Sequence, residues 1–129
     1  MAALLIVEDD DTIRNALCDL FSEEHACRAV ETAERALECL ETESYDVVLT
    51  DGSLPGMSGR RLLERIRRRW PNTPVIIISG SDDDAYAQSL TKIGVFEYLK
   101  KPFQLAEVEE SVNRAIEQRQ RMMKKGKGQ

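Results

Sequence analysis

No stretch of this sequence approaches the roughly 20 consecutive apolar residues that a membrane-spanning helix needs. The apolar run at its start, Ala2 to Val7, stops at Glu8 and has no basic leader, so it does not read as a secretory signal. Cysteine is scarce. Cys18, Cys27 and Cys39 are odd in number and no pair has CxxC spacing, which argues against a disulfide framework or a zinc site. They read as reduced, small apolar side chains of a cytoplasmic protein. A basic excess is also missing: 18 Lys and Arg stand against 23 Asp and Glu, net −5, where a generic nucleic-acid binder is usually basic. The loop with Gly52, Gly56 and Gly59 lacks the GxxxxGK(S/T) pattern of a nucleotide phosphate loop. There is no internal repeat and no long low-complexity linker.

What is present fits one ordinary domain. The chain has 129 residues, 42% hydrophobic and 32% charged, a size at which roughly two-thirds of the unfolded surface is buried without staples. Three short apolar runs, Leu4 to Val7, Val47 to Leu49 and Val75 to Ile78, are β-branched and lack polar alternation. Strands buried on both faces of a parallel sheet read this way. Ala26 to Val30 and Phe96 to Leu99 are weaker candidates. Between the runs lie segments with apolar residues at helical spacing, such as Ile13, Leu17, Leu20 and Phe21, or Leu62, Leu63, Ile66 and Trp70. The last carries Leu105, Val108, Val112, Ala115 and Ile116. Pro71 and Gly94 stand where the third and fourth helices should stop. Strict β–α alternation predicts a parallel sheet with helices on both faces and right-handed crossovers. A ligand site is then expected beyond the carboxyl ends of the strands, near the point where strand order reverses.

The residues at those strand ends are Glu8-Asp9-Asp10-Asp11, Thr50-Asp51, Ser79-Gly80-Ser81 and Lys100-Lys101-Pro102-Phe103. Clustered carboxylates repel one another and either protonate or capture a cation. An all-oxygen set suits a hard ion, and Mg²⁺ is the abundant intracellular choice. A metal, a lysine and a hydroxyl together offer positive charge and donors to phosphate oxygens, and a carboxylate can itself attack phosphorus.

The stretches LLIVEDD, VVLTDGSLPGMSG, PVIIISG and YLKKPF, in this order and spacing from about Leu4 to Ile116, resemble the receiver domains of two-component response regulators. The resemblance implies an α/β fold of the flavodoxin-like (βα)5 kind, with a five-stranded parallel sheet in the order 2-1-3-4-5. It implies a receiver domain over residues 1–118. Residues 119–129 follow as a basic polar tail, the frayed end of the last helix or the start of a linker. Asp51 is the implied phosphoacceptor. Asp9 and Asp51 are implied Mg²⁺ ligands, with Glu8 acting through a metal-bound water and the Ser53 backbone carbonyl completing the set. Lys101 would contact the phosphoryl group across a typically cis bond to Pro102. Ser79 would be the switch hydroxyl and Tyr98 the switch aromatic, and Ser53 and Ser81 would tune the lifetime of the phosphate. The implied partners are a sensor histidine kinase or phosphotransfer protein, and a downstream protein or fused output domain. A phosphorylation-dependent homodimer through the fourth helix, fifth strand and fifth helix is a further expectation. Neither nucleic acid nor membrane is expected to be contacted directly. The expected role is a signalling switch rather than an enzyme.

Three features depart from the commonest family wording: Glu8 for aspartate, Ser58 before Gly59, and Gly80 after Ser79. None removes a catalytic group. Asp10 and Asp11 read more simply as helix caps than as ligands, as does the run Asp82 to Asp84. His25 reads as a surface residue, and the six arginines between Arg60 and Arg69 as a solvated helix face, with a docking surface for an acidic partner as the alternative. Other chemistry on this architecture fits less well. A haloacid-dehalogenase-type phosphatase needs Asp-x-Asp, but Gly52-Ser53 follow Asp51. A flavodoxin cradles FMN phosphate with a Ser/Thr-rich first loop, but here that loop is acidic.

Overall fold

The computed structural model describes residues 1–127. Five strands, β1 (Ala3–Val7), β2 (Ala26–Val30), β3 (Val47–Asp51), β4 (Val75–Ser79) and β5 (Glu97–Lys100), alternate with five helices. The helices are α1 (Asp11–Phe21), α2 (Ala33–Thr42), α3 (Gly59–Arg69), α4 (Asp84–Ile93) and α5 (Leu105–Lys127). All strand pairs are parallel, in the order β2-β1-β3-β4-β5. The expected fold class and strand order are both found.

Alternate residues of each central strand feed two cores. Leu5, Val7, Val48, Val75 and Ile77 pack with Ala36 and Leu40 of α2, Leu62, Leu63 and Ile66 of α3, and Leu90 of α4. Leu4, Ile6, Val47, Leu49, Ile76 and Ile78 point the other way, to Leu17 and Phe21 of α1 and Val108, Val112 and Ile116 of α5. Both sheet faces are covered, so β1, β3 and β4 carry no polar alternation. Edge strand β2 does alternate between exposed and partly buried positions, which explains its weaker apolar signal.

Helix ends follow local chemistry. Asp10 caps α1 by accepting from Ile13 N at 3.0 Å, and Asp83 caps α4 by accepting from Ala85 N at 2.9 Å. Asp11 and Asp84 lie in first turns, where negative charge suits the helix dipole. Ser58 caps α3 by accepting from Arg61 N at 3.1 Å, a role that explains serine at that position. Three of the α3 arginines sit in its last turn, where cations suit the dipole, while Arg61 pairs with Glu64 and Arg69 with Glu41. Gly94 ends α4 in the left-handed region, at φ 110°. His25 is only partly exposed. Its Nδ1 accepts from Ala2 N at 3.1 Å and so pins the start of β1, a structural role the surface reading did not foresee.

The last helix also runs further than its apolar pattern suggests. Fraying is expected from Gln118, yet α5 continues to Lys127. Arg119 explains part of the extension: it donates to Asp46 Oδ1 at 3.0 Å and to the Asn72 carbonyl at 3.1 Å, which ties this turn to the amino ends of β3 and β4. Gly128 and Gln129 of the expected tail lie outside the described residues. Among the described residues no helix is long and apolar enough to cross a membrane. All three cysteines are free thiols.

Candidate phosphoryl-transfer site

Strand register assembles the site. Val7 of β1 pairs with Thr50 of β3, so the next residues along each strand, Glu8 and Asp51, emerge side by side. Asp51 pairs with Ile78 and Ser79 with Lys100, which brings Gly52, Ser79 and Lys101 to the same edge. The sheet changes direction here: from β1 the chain moves outward to β2, and from β3 it moves the other way to β4. The crevice of a doubly wound fold opens at this point.

Asp51, almost fully buried, is held on both oxygens. Oδ2 accepts from Lys101 Nζ at 2.6 Å and Oδ1 accepts from the Ser53 backbone N–H at 3.0 Å. Glu8 is buried as well; its Oε2 accepts from Asp10 N at 3.1 Å and its Oε1 lies 3.6 Å from Lys101 Nζ. Asp9 is exposed at the rim. Carboxylate oxygens of Glu8, Asp9 and Asp51 all lie within 4.8 Å of one another. Of the expected site residues, these three and Lys101 therefore meet directly. Ser79 is buried beside them, with its Oγ accepting from Ser81 N at 3.3 Å. The Tyr98 hydroxyl donates to the Ser81 carbonyl at 2.5 Å. The Lys101–Pro102 bond is cis. Lys100, the other lysine, points away to Asp82 at 3.2 Å.

Burial pushes the Glu8 carboxyl up to about 7, and the nearby Asp51 charge adds to the rise. The Asp10 amide and Lys101 oppose it without winning. Lys101 is raised: burial works against its charge, but its hydrogen bond to Asp51 and the charges of Asp51 and Glu8 outweigh that. The carboxylate cluster thus carries more negative charge than one lysine compensates. A hard divalent cation held by oxygen donors fits this surplus.

A pH dependence follows. Folded Glu8 keeps a proton that the unfolded chain, with its ordinary value of 4.5, releases well before pH 7. Stability in EDTA should therefore fall as pH rises from 4.5 to about 7 and then level off. Thermal melts of wild type and Glu8→Gln across the pH range from 4.5 to about 7 check this. The wild-type decline should be steeper than the variant's, and Mg²⁺ should recover the loss at the alkaline end. Parallel profiles would contradict it.

Four residues outside the expected set shape the site. Arg14 of α1 donates to the Glu8 carbonyl at 3.0 Å. Glu34 of α2 accepts from Met57 N at 3.2 Å and so braces the β3–α3 loop, where Gly56 takes φ 75°. Gly59 lies so close to β3 that a methyl group there would clash with the Asp51 carbonyl and sit 2.8 Å from Gly52 Cα. The Tyr86 hydroxyl comes from α4 into the space beside Gly52, where an added methyl group would lie 2.5 Å from it. Tyr86 has helical spacing with Leu90 and Ile93, which reads as core, and Gly59 closes the VVLTDGSLPGMSG stretch; Arg14 and Glu34 carry no such signal. A cleft of about 450 Å³ lined by Tyr45, Trp70 and Arg119 lies at the opposite edge of the sheet, away from this chemistry.

The fold is thus a doubly wound (βα)5 domain with an acidic, cation-suited pocket and a lysine at its switch point. Comparison with known proteins makes this specific. The family model described as response regulator receiver domain matches residues 4–113, and the chain belongs to that family. It is 40% identical over 112 residues to the DNA-binding transcriptional regulator NtrC of Klebsiella pneumoniae, covering 86% of this chain and 24% of that protein. It is 39% identical over 104 residues to the response regulator protein FleR of Pseudomonas aeruginosa, covering 80% of this chain and 22% of that one. Among solved structures, a response regulator receiver domain protein from Clostridium thermocellum superposes with TM-score 0.88 at 30% identity, over 95% of this chain and 99% of that one. NtrX from Brucella abortus superposes with TM-score 0.90 at 27% identity, over 99% of this chain and 30% of that one. The chain spans about a quarter of the length of these curated relatives.

Proposed function

We propose that Asp51 accepts a phosphoryl group in a Mg²⁺-dependent reaction, and that the resulting aspartyl phosphate switches the face formed by α4, β5 and α5. The observation that carries this reading is the buried Asp51 carboxylate, held between Lys101 Nζ and the Ser53 amide inside an acidic trio.

Asp9 and Asp51 would hold the metal directly, with Glu8 acting through a water and the Ser53 carbonyl completing the protein set. Bound Mg²⁺ supplies the positive charge that lets an anionic phosphoryl group approach these acids. An Asp51 oxygen forms the new O–P bond while the bond from phosphorus to the donor breaks, P–N for a phosphohistidine and P–O for a small acyl phosphate. A carboxylate nucleophile has no proton to lose, so the step needs no general base. Lys101 already lies against Asp51 Oδ2 at 2.6 Å and stabilises charge on the incoming oxygens. The Ser79 hydroxyl donates to a phosphoryl oxygen once it is in place, and Tyr98 follows by leaving the Ser81 carbonyl. Ser53 and Ser81 flank the path of water and set how long the phosphate survives.

The partners follow from the same chemistry. A sensor histidine kinase or phosphotransfer protein supplies the phosphoryl group in the cytoplasm, where free thiols stay reduced. A downstream protein or fused output domain, or a second copy of the domain, reads the altered face. The domain itself touches neither DNA nor lipid, in keeping with its −5 charge. Residues 1–118 suffice for the chemistry, and the basic helix beyond leads away from it.

Borohydride trapping tests the site. Reduction of the phosphorylated protein should convert Asp51 to homoserine, read by peptide mass. Homoserine at Asp9, Asp10 or Asp11 instead would displace the assignment.

A further inference from the structure

Arg14 lies one turn into α1, where the helix dipole disfavours a cation. Its side chain is only 16% exposed, although the two carboxylates it pairs with, Asp11 and Glu31, are 78% and 69% exposed. An ordinary surface ion pair contributes little and needs no buried guanidinium. What the guanidinium reaches inside is the Glu8 carbonyl, to which Nη1 donates at 3.0 Å, while Nη2 meets Asp11 Oδ1 and lies 3.7 Å from Glu31 Oε1. That carbonyl belongs to the peptide group joining Glu8 to Asp9, two of the three acids in the candidate metal trio. A peptide group is planar, so holding its oxygen fixes the plane and the directions in which both side chains leave the backbone. The chain is held on either side as well. Glu8 N donates to the Val30 carbonyl at 3.0 Å, and Asp10 N donates to Glu8 Oε2 at 3.1 Å. Arg14 supplies the contact between these two.

We propose that Arg14 is a positioning residue that fixes the Glu8–Asp9 peptide and so holds both acids ready for a divalent cation before the cation arrives. This rests on the reading of the trio as a Mg²⁺ site and adds what keeps that site assembled without metal. Carboxylates this close repel one another. A loop that let them scatter would have to be ordered again when metal binds, and that ordering weakens binding. A second effect has the opposite sign: Arg14 is itself a cation, and its charge repels Mg²⁺. Asp11 and Glu31 offset that charge, and among the described residues Arg14 donates to no carboxylate of the trio. Lys101, by contrast, lies against both Asp51 and Glu8. Removing Arg14 should therefore weaken the metal, where removing Lys101 strengthens it.

Arg14→Met keeps an unbranched apolar stem and loses the fork. Arg14→Lys keeps the charge, but its single nitrogen cannot brace the Glu8 carbonyl and Asp11 as the fork does. The probe is Mg²⁺ alone, titrated into the full chain by isothermal calorimetry, with exchange of the Asp10 amide followed by NMR in EDTA. The Mg²⁺ Kd should rise by about 5- to 30-fold in Arg14→Met, the range for ordering one backbone residue on binding. Arg14→Lys should lie between that variant and wild type. The Asp10 amide, held by Glu8 Oε2, should exchange faster in Arg14→Met than in wild type. A role in helix stability alone would lower the melting temperature and leave the Mg²⁺ Kd of the folded protein unchanged. Equal or tighter Mg²⁺ binding in Arg14→Met would overturn the proposal, the tighter case showing that bare charge decides; so would unchanged exchange at Asp10. If circular dichroism shows Arg14→Met unfolded, Arg14→Lys carries the same test, and equal or tighter binding there overturns the proposal. Wild type that binds no Mg²⁺ would overturn the metal reading and the positioning role together. Wild type that binds, with both variants indistinguishable from it, would overturn only the positioning role.

Discussion

Replacing Lys101 by methionine is expected to slow phosphoryl transfer to Asp51 by about a hundredfold, the usual effect of removing one preorganised donor from a developing charge. The same variant should bind Mg²⁺ more tightly, by roughly tenfold. Lys101 Nζ lies 2.6 Å from Asp51 and 3.6 Å from Glu8, so it competes with any cation for the same oxygens. At a partly exposed site the repulsion between two such cations is about 1 to 4 kcal/mol, depending on the effective dielectric. Transfer and metal affinity therefore move in opposite directions, which distinguishes loss of a phosphate-contacting charge from a collapsed site. Isothermal titration with Mg²⁺ and the rate of phosphorylation by acetyl phosphate give the two readings. Weaker Mg²⁺ binding in the variant, or an unchanged rate, would contradict the role assigned to Lys101.

Gly59→Ala should destabilise the domain by about 3 kcal/mol, the upper range for overpacking. The added methyl would run into the Asp51 carbonyl and approach Gly52 Cα to 2.8 Å, and both are backbone atoms that no rotamer change can move. The Gly59 amide also donates to the Gly52 carbonyl at 3.1 Å, so the start of α3 cannot drift outward without losing that bond. Phosphorylation should suffer alongside stability because the strained carbonyl belongs to Asp51, the proposed acceptor. Gly80→Ala is the control. No atom lies within 4 Å of a methyl placed there, and its backbone is not left-handed. That change should leave stability equal or raise it by about 0.5 kcal/mol through the unfolded state. Urea melts should place the Gly59→Ala midpoint well below that of wild type and the Gly80→Ala midpoint at or slightly above it. Equal midpoints would show that α3 does not press on β3 as described.

Much of this was legible in the sequence because the informative positions lie in a few dense stretches. The central strands β1, β3 and β4 are buried on both faces, so unbroken runs such as Val75 to Ile78 announce them. The edge strands are harder to read. In β5, Glu97 and Tyr98 are half-buried and Lys100 is exposed; Leu99 is buried in one core and Tyr98 packs against the other. Strand-end acids and the lysine are adjacent to those runs, so the parallel topology alone brings Glu8, Asp51 and Lys101 to one edge. Features that depend on where one element approaches another left no local trace. Tyr86 looks like a core position of α4 until its hydroxyl is seen over Gly52. Gly59 looks like a helix start until β3 is placed against it. Arg119 looks like part of a solvated tail until Asp46 and the Asn72 carbonyl meet its guanidinium. The same holds for the Glu8 carboxyl, whose displacement to about 7 comes from burial that only the folded chain creates.

The central claim is that this pocket transfers phosphorus to one aspartate with the help of a metal. Intact mass after incubation with acetyl phosphate, with Mg²⁺ or with EDTA, on wild type and Asp51→Asn, tests it most directly. A gain of one phosphoryl group that requires Mg²⁺ in wild type and is absent in Asp51→Asn is the predicted result. No gain in a wild-type protein shown to be folded by circular dichroism, or an equal gain in Asp51→Asn, would contradict it.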